Sequence, residues 1–350
     1  MLGAIASSGV TQAIYEYWQY FEPIRVYGPA KCIEHTQKIT HAVDNILDKN
    51  DTKLTARLKE AWHLPNITYD DDLTTFIAVG IEQWQGRNWD PAVSSPLFDQ
   101  YCDFLTSSVL KDPKEIKRIG LIQDLLIEGN YSKEVVQLAI PMLNWISWTK
   151  QTYINGCPSD QDQDYCFGTH DTKFYAKADI SQSWRAWPWQ FCTQWGYIQY
   201  SHTPSASILP LISNRLTLSR RFEICKLAFN ITSPPNVTSI NQWGGFNISY
   251  PRLAFIDGEQ DPWRGATPHA GPFAYDGPVR NRKNSVEEPW YLMDGAVHHW
   301  DENGLSEAER RAGKRIPKAV ESVQKEEVRF VLEWLKEWQE STRLEEKLEL

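Results

Sequence analysis

The spacing of apolar residues changes along the chain, and these changes outline its organisation. Residues 3–10 form a short apolar run with a polar end, which is typical of a strand and its following loop. From Pro29 onward, apolar residues such as Ile33 and Ile39 recur at helical spacing. The same spacing predicts further helices over 54–62, 74–84, 96–107 and 133–148. A long, mainly helical block is therefore expected after the first strand.

Two β-type runs return in the last third of the chain. The run 252–256 ends at a glycine, so Glu259 to Trp263 are predicted to form the loop that leaves the carboxyl end of a strand. The run 290–293 is followed by a turn that delivers His298. In an open α/β sheet, ligands and catalytic groups collect at the carboxyl ends of the strands. The sequence therefore predicts an α/β fold with its functional groups on these two loops.

An acid follows the first of these strands and a histidine follows the second. Asp261 and His298 stand in the order of the second and third members of an α/β-hydrolase triad, which runs serine, acid, histidine. A histidine base needs such a carboxylate, because the carboxylate fixes its tautomer and stabilises the imidazolium. The sequence favours Asp261 as the acid and His298 as the base, with His299 as the alternative base.

A metal site is the weaker interpretation of the same stretch. His298, His299 and Asp301 carry ligand atoms, but neighbouring side chains in extended backbone point apart. The cysteines show no spacing that is typical of zinc. No metal or cofactor is therefore expected.

The nucleophile of a triad is missing from the pattern. No Gly-x-Ser-x-Gly occurs in the 350 residues, and Ser7 and Ser8 lack the flanking glycines that a strand-to-helix elbow needs. The nucleophile is therefore expected upstream of Met1, and the chain as written is expected to be inactive. A sheet without its first half would expose an unpaired edge, so the isolated chain is also expected to fold poorly.

The last element predicted is a long helix that covers the sheet. After Pro317 an apolar stripe comprises Val320, Val323, Val328, Val331, Leu332, Leu335 and Trp338. The whole pattern divides into a first core part at 1–24, a helical cap insertion at 25–239 and a second core part at 240–350. A separate all-α domain is the alternative for the helical block.

Composition excludes some partners and favours a secretory history. The formal net charge of −9 makes nucleic acid an unsuitable partner. No apolar run approaches the roughly 20 residues that a membrane span needs, and the first residues do not resemble a signal peptide. Glycosylation acceptor triplets begin at Asn66, Asn130, Asn230, Asn236 and Asn247. The six cysteines form an even set, which suits disulfides, although buried thiols in a cytosolic protein are the alternative.

Four short motifs, in this order, resemble one known family. They lie at 189–197, 244–248, 257–263 and 295–301. Together they are similar to the prolyl carboxypeptidase and dipeptidyl peptidase II family of serine exopeptidases, and most of all to its fungal members. One departure is Gln194, which stands where many relatives carry glutamate.

The resemblance implies an α/β-hydrolase domain with a helical cap, which cleaves short peptides after proline. Asp261 then matches the triad acid and His298 the base, with His299 as the fallback. Trp263 would help to wall the pocket for the proline ring. The family also suggests disulfides joining Cys32 to Cys102, Cys157 to Cys166, and Cys192 to Cys225.

Several alternatives stay open at the level of sequence. A secreted, non-catalytic protein that binds peptides with a proline near one terminus would keep the same pocket. Carbohydrate binding through the 16 tryptophans rests on composition alone. Carboxypeptidase, dipeptidyl and tripeptidyl modes are not distinguished, and neither are a monomer and a homodimer, a secreted and a vacuolar or lysosomal location, or the pH optimum.

Overall fold

The chain is organised in two compact units. The structure is a computed structural model that describes residues 2–274 and 282–348. The first unit comprises Met1–Ile14, Gln85–Ser95 and Asn236–Leu350, and the second comprises Tyr15–Trp84 and Pro96–Pro235. In the sequence, the second unit thus lies between parts of the first. It begins and ends near the two ends of the predicted helical block.

Strands and helices follow the predicted order. The strands are β1 Ala4–Ser7, β2 Ile14–Glu16, β3 Gly196–Ile198, β4 Leu253–Gly258 and β5 Trp290–Met293. The helices are α1 Phe21–Tyr27, α2 Ala30–Asp48, α3 Thr52–Ala61, α4 Asp70–Ala78, α5 Leu97–Thr106, α6 Ile119–Glu128, α7 Val135–Thr152, α8 Gln163–Phe167, α9 Thr172–Tyr175, α10 Ala186–Gln190, α11 Leu218–Phe229, α12 Thr238–Asn241, α13 Glu307–Arg311 and α14 Lys318–Leu348.

The first unit contains a parallel sheet in the order β1-β4-β5. Ala6 lies opposite Phe255, and Phe255 lies opposite Trp290, so the carboxyl ends of the strands meet at one edge. The central strand β4 is buried along nearly its whole length, as expected for a parallel strand between two neighbours. This parallel sheet with surrounding helices places the chain in the α/β class.

Helix α14 covers the sheet with part of the predicted stripe. Val320 and Val323 are buried in the same apolar cluster as Ile256 of β4, together with Phe330 and Trp334, which the stripe did not include. Val328 and Leu332 of the predicted stripe are instead 61% and 59% exposed, so they belong to the outer side of the helix. The buried residues follow one another at helical spacings and so share one face, and Val328 and Leu332 fall outside it.

The segment Gln85–Ser95 packs with the first unit, although the sequence pattern placed it in the helical block. The indole Nε1 of Trp89 donates to the carbonyl of Trp300, and the Trp300 indole donates to the carbonyl of Arg87, both at 2.9 Å. The Trp263 indole donates to Gln85 Oε1 at 2.8 Å. These bonds tie the segment to the loops that follow β4 and β5.

The second unit is mainly helical, as predicted, and its core is aromatic. Trp62, Trp84, Trp145 and Trp148 are almost fully buried. Trp62 meets Trp145 edge to face, with ring centroids 5.4 Å apart. A small sheet pairs β2 with β3. None of the helices in the described ranges is long and apolar enough to cross a bilayer.

The six cysteines are all joined in disulfides. Cys32 of α2 is bonded to Cys102 of α5, Cys157 is bonded to Cys166 of α8, and Cys192 is bonded to Cys225 of α11. These are the pairs that the family resemblance implies. All three lie within the second unit and connect its helices and turns.

Loop length should decide how much each disulfide contributes to stability. The Cys32–Cys102 bond closes a separation of 70 residues, and Cys157–Cys166 closes one of 9. Because the unfolded chain loses more entropy when a longer loop is closed, replacing the first pair by serine should cost about 4 kcal/mol and the second about 3 kcal/mol. Urea unfolding of the two double variants measures this. An equal loss, or a larger one for the short loop, would contradict the entropic account.

Candidate active site

The loops after β4 and β5 bring an acid and a histidine together. Asp261 is fully buried, and its Oδ2 lies 2.8 Å from Nδ1 of His298. Its other oxygen, Oδ1, accepts the backbone N–H of Trp263 at 2.8 Å. Because Nδ1 faces the carboxylate, Nε2 is the nitrogen of His298 that can exchange a proton with a reacting group. The acid and the base predicted from the sequence therefore lie in hydrogen-bonding contact.

The two loops are held in this arrangement by a close approach of their backbones. A Cβ on Gly258 would lie 2.0 Å from the carbonyl oxygen of Val297, so only glycine fits at the end of β4. Gly295 adopts a positive φ of 67° in the turn after β5. Its N–H donates to the Glu259 carboxylate at 3.0 Å. The loop that carries His298 is thus anchored to the loop that carries Asp261.

The fallback base, His299, faces a different set of groups. Its Nδ1 lies 3.1 Å from Glu302 Oε1 and 3.2 Å from Ser7 Oγ. The residue has a φ of 55°, in the left-handed region, and its ring centroid lies 3.8 Å from that of His298. Of the two adjacent histidines, His298 is the one that contacts Asp261.

The serines near the amino end bind the histidine loop, but not as a nucleophile would. Ser7 Oγ donates to Asp301 Oδ1 at 2.7 Å, and Ser8 Oγ accepts the N–H of His299 at 3.1 Å. In a triad, the serine meets Nε2 of a histidine whose Nδ1 is held by a carboxylate. Ser7 meets Nδ1 of His299 instead, so the contacts favour an anchoring role for both serines.

Two carboxyl groups behind this loop are partly cut off from water. Burial raises the pKa of Asp301 to about 6, although the hydrogen bond from Ser7 works against it. Burial also raises the pKa of Glu327 of α14 to about 7, and the negative charges of Asp301 and Glu302 raise it further. Burial lowers the pKa of His299, and the charge of His298 adds to that effect. The sequence pattern pointed to Asp301 only as a metal ligand and did not indicate Glu327 as part of the site.

Trp263 lies beside the acid and is almost fully buried. Its backbone N–H donates to Asp261, and its indole donates to Gln85. The residue is therefore held both through its backbone and through its ring. Its role as the wall of a proline pocket stays a prediction. Gln85 was not expected near the site, because it is separated from Trp263 by 178 residues.

The second unit has a cavity of its own of about 320 Å³. Aromatic rings of Trp187, Phe191 and Tyr197 line it, together with Arg220 and Arg221. Tyr197 has a φ of 61°, directly after the π-helical turn Phe191–Trp195. Strained backbone of this kind often marks a binding site. Gln194 of the same turn is exposed and is not one of the residues that line the cavity.

One group in the described ranges could supply three metal ligands, and it lies in the second unit. It consists of Asp71, Asp72 and His170. Arg220 already forms ion pairs with both carboxylates and lies 3.1 Å from Nε2 of His170. One of the two negative charges of the group is therefore balanced by a side chain. His298, His299 and Asp301 do not form a comparable group among the described residues.

Comparison with known proteins agrees with this geometry. The family model of serine carboxypeptidase S28 matches residues 1–311. The chain belongs to the serine carboxypeptidase S28 family. Membership in S28 confirms the resemblance to serine exopeptidases of the prolyl carboxypeptidase type that the four motifs indicated, and it makes this a chain of a serine peptidase family.

Fungal S28 relatives are similar over most of the chain. A probable extracellular serine carboxypeptidase of Arthroderma benhamiae is 40% identical over 336 residues, which are 95% of this chain and 46% of the relative. The serine protease vicPa of Bipolaris victoriae is 25% identical over 85% of this chain and 54% of its own length. The serine protease vicPb of the same fungus is 23% identical over 95% of this chain and 61% of its own. The chain spans about half the length of the curated relatives it matches.

The raised pKa of Glu327 should make the stability of the chain fall as pH rises. The folded state holds this proton more tightly than the unfolded state, so the free energy of unfolding falls between about pH 4 and about pH 7. Glu327→Gln should remove part of this fall. The variant should match the wild type at pH 4 and exceed it at pH 7.5 by on the order of 1 kcal/mol, since solvent screens a partly exposed carboxyl.

Thermal unfolding across this pH range measures the effect, and Glu326→Gln is the matched control. Glu326 is the neighbouring residue, and its pKa is lowered by the hydrogen bond from Arg329. Removing its charge should bring no gain at pH 7.5. Parallel stability curves for Glu327→Gln and the wild type would contradict the assignment.

Proposed function

We propose that Asp261 and His298 are the acid and the general base of a Ser-Asp-His triad in a serine exopeptidase that hydrolyses short peptides after proline. The observation that carries the proposal is their 2.8 Å contact at the carboxyl ends of neighbouring parallel strands. In this proposal β1, β4 and β5 belong to an α/β-hydrolase core. The helical unit inserted after β1 is the cap of that core.

The proposed chemistry follows from the orientation of His298. A serine hydroxyl attacks the carbonyl carbon of the proline residue, and Nε2 of His298 takes its proton. Asp261, bonded to Nδ1, stabilises the imidazolium that forms. His298 then gives the proton to the leaving amine, and water hydrolyses the acyl-enzyme by the same route.

The nucleophile of this reaction is proposed to lie outside the 350 residues, since they contain no Gly-x-Ser-x-Gly. By themselves these residues are proposed not to turn over peptide. Trp263 supplies an apolar surface beside the acid, which suits a proline ring. The name of the S28 family, and of its Arthroderma benhamiae relative, favours release of residues from the carboxyl end.

A second candidate function is peptide binding without turnover. The cavity lined by Trp187, Phe191 and Tyr197 in the second unit supports it, because aromatic rings pack well on proline. The two candidate functions differ in whether the bound peptide is cleaved. Only the first predicts a product that appears with time from a peptide such as a carboxyl-terminal Pro-Phe substrate.

Mutation of the acid–histidine pair should abolish peptide cleavage. In the complete peptidase, His298→Ala and Asp261→Asn should each lower kcat by roughly 10³- to 10⁴-fold, because proton transfer loses its base or its correct tautomer. Release of the last residue from peptides with a penultimate proline, followed by mass spectrometry, measures this. The exposed His202 provides the matched control, and His202→Ala should retain activity.

The nucleophile can be located with a fluorophosphonate, which labels activated serines. The complete peptidase should be labelled at a serine outside residues 1–350, and the 350-residue chain should stay unlabelled. Labelling of Ser7 or Ser8 would contradict the proposal directly. Activity retained above about a tenth in His298→Ala would contradict it as well.

The protein is also proposed to be secreted and glycosylated, with the vacuole as the alternative location. Its disulfides support an oxidising compartment, and one S28 relative carries the description extracellular. The asparagines of the acceptor triplets share one structural property, which is that all are exposed. They are Asn66, Asn130, Asn230, Asn236 and Asn247.

Expression in a secretory host should therefore give a glycoprotein. Endoglycosidase treatment should lower its mass, and each single Asn→Gln change at these positions should remove one glycan, because an exposed acceptor is accessible to the transferase. Asn214 is exposed as well but lies outside an acceptor triplet, so Asn214→Gln should leave the mass of the glycans unchanged. An unchanged mass after deglycosylation would contradict the prediction.

A further inference from the structure

A second buried acid–histidine couple lies on the strand that leads to Asp261. Asp257 of β4 is fully buried, and its Oδ2 lies 2.6 Å from Nδ1 of His269. The imidazole is 7% exposed, and its Nε2 is buried without a hydrogen-bond partner among the described residues. The couple is therefore closed off from solvent, and its role is sought in the segment that it holds.

His269 is fixed from several sides. Its ring packs on Trp290 of β5, with centroids 3.8 Å apart. Its N–H donates to Thr267 Oγ1 at 3.1 Å, and its carbonyl accepts Nε of Arg264 at 2.9 Å. The same guanidinium donates through Nη1 to the carbonyl of Glu259 at 2.9 Å.

These contacts close the loop that carries Asp261. The chain leaves β4 at Asp257 and returns to it at His269, and Arg264 spans the loop from Glu259 to His269. Asp261 lies inside this closed segment, where its N–H binds the carbonyl of Gly258 at 3.3 Å. A shift of His269 would therefore be transmitted to the backbone of the acid.

The contact between His269 and Asp257 also affects the cost of burying two carboxyl groups near each other. Burial raises the pKa of Asp257, and the negative charge of Asp261 raises it further, while the hydrogen bond and the charge of His269 lower it. Two buried carboxylates so near each other repel, and a lone buried charge is costly. The hydrogen bond from His269 offsets part of this cost at Asp257.

We propose that His269 is a positioning residue for Asp261 and acts through Asp257. The couple closes the acid loop and so holds Asp261 in place for its contact with His298. The inference rests on the proposed function in taking Asp261 and His298 as members of the triad. It adds that their contact depends on a histidine that touches neither of them in the described structure.

The test is the NMR signal of the His298 Nδ1 proton, which needs no catalytic activity. An imidazole proton held by a carboxylate resonates far downfield and exchanges slowly with water. The complete peptidase, labelled with ¹⁵N-histidine, should show such lines for His298 and His269. His63 and His170 also meet carboxylates, but through Nε2, so nitrogen correlations separate them. His299 meets Glu302 through Nδ1, so any line of its own is assigned with His299→Gln. His298→Gln and His269→Gln assign the two lines.

In His269→Gln the line of His298 should move upfield and exchange faster with water, because Asp261 is no longer fixed. The double variant Asp257→Asn with His269→Gln should restore it, since two amides can close the loop by a hydrogen bond without leaving a charge. If His269→Gln does not fold, Asp257→Asn alone preserves the side-chain shape, replaces the carboxylate that holds His269 and should move the line in the same direction.

A merely structural role predicts a different result. His35→Gln is the matched control, because His35 is as buried as His269 and bonds through Nδ1 to a backbone carbonyl in the second unit. It should lower the melting temperature and leave the His298 line in place. The same behaviour in His269→Gln and Asp257→Asn would overturn the inference. A His298 line that survives Asp261→Asn would instead overturn the proposed triad, so the two failures are distinguishable.

Discussion

The site depends on the close approach of two loops at Gly258. The carbonyl of Val297 comes so near this residue that any side chain would separate the loops. Parallel pairing of β4 and β5 brings both loops to the same edge of the sheet. Because Gly258 has no Cβ, the backbones of the two loops can also approach closely there. The acid after one strand can then contact the histidine after the other.

The buried carboxyl groups on the two sides of the contact between Asp261 and His298 have different surroundings. In front, Asp261 and Asp257 each face an imidazole, so burial is compensated by a partner of suitable geometry. Behind, burial raises the pKa values of Asp301 and Glu327, and the charge of Asp301 raises that of Glu327 further. These raised pKa values make the histidine loop sensitive to pH.

Local pattern was sufficient for the three strands of the parallel sheet, for several of the longer helices and for the acid–histidine pair, but it did not indicate β2, β3, α6 or α11. The strands that lead to Asp261 and His298 are short apolar runs ended by glycine or a turn, and the order of the two residues carries chemical meaning. The local pattern did not predict the long-range contacts. The pairing of Asp257 with His269 depends on how a loop without regular periodicity folds back, and the bond from Trp263 to Gln85 joins distant parts of the chain.

The same limit explains why the predicted stripe of α14 was right only in part. Val320 and Val323 are buried as predicted, but Val328 lies two residues, or about 200° around the helix axis, from the buried Phe330 and cannot share its face. The choice between them is made by the sheet, whose surface around Ile256 accommodates aromatic rings. Asp261 and His298 escape this ambiguity because their contact is built by neighbouring strands of one sheet. The pair is therefore organised before any nucleophile or substrate takes part, as electrostatic stabilisation of a transition state requires.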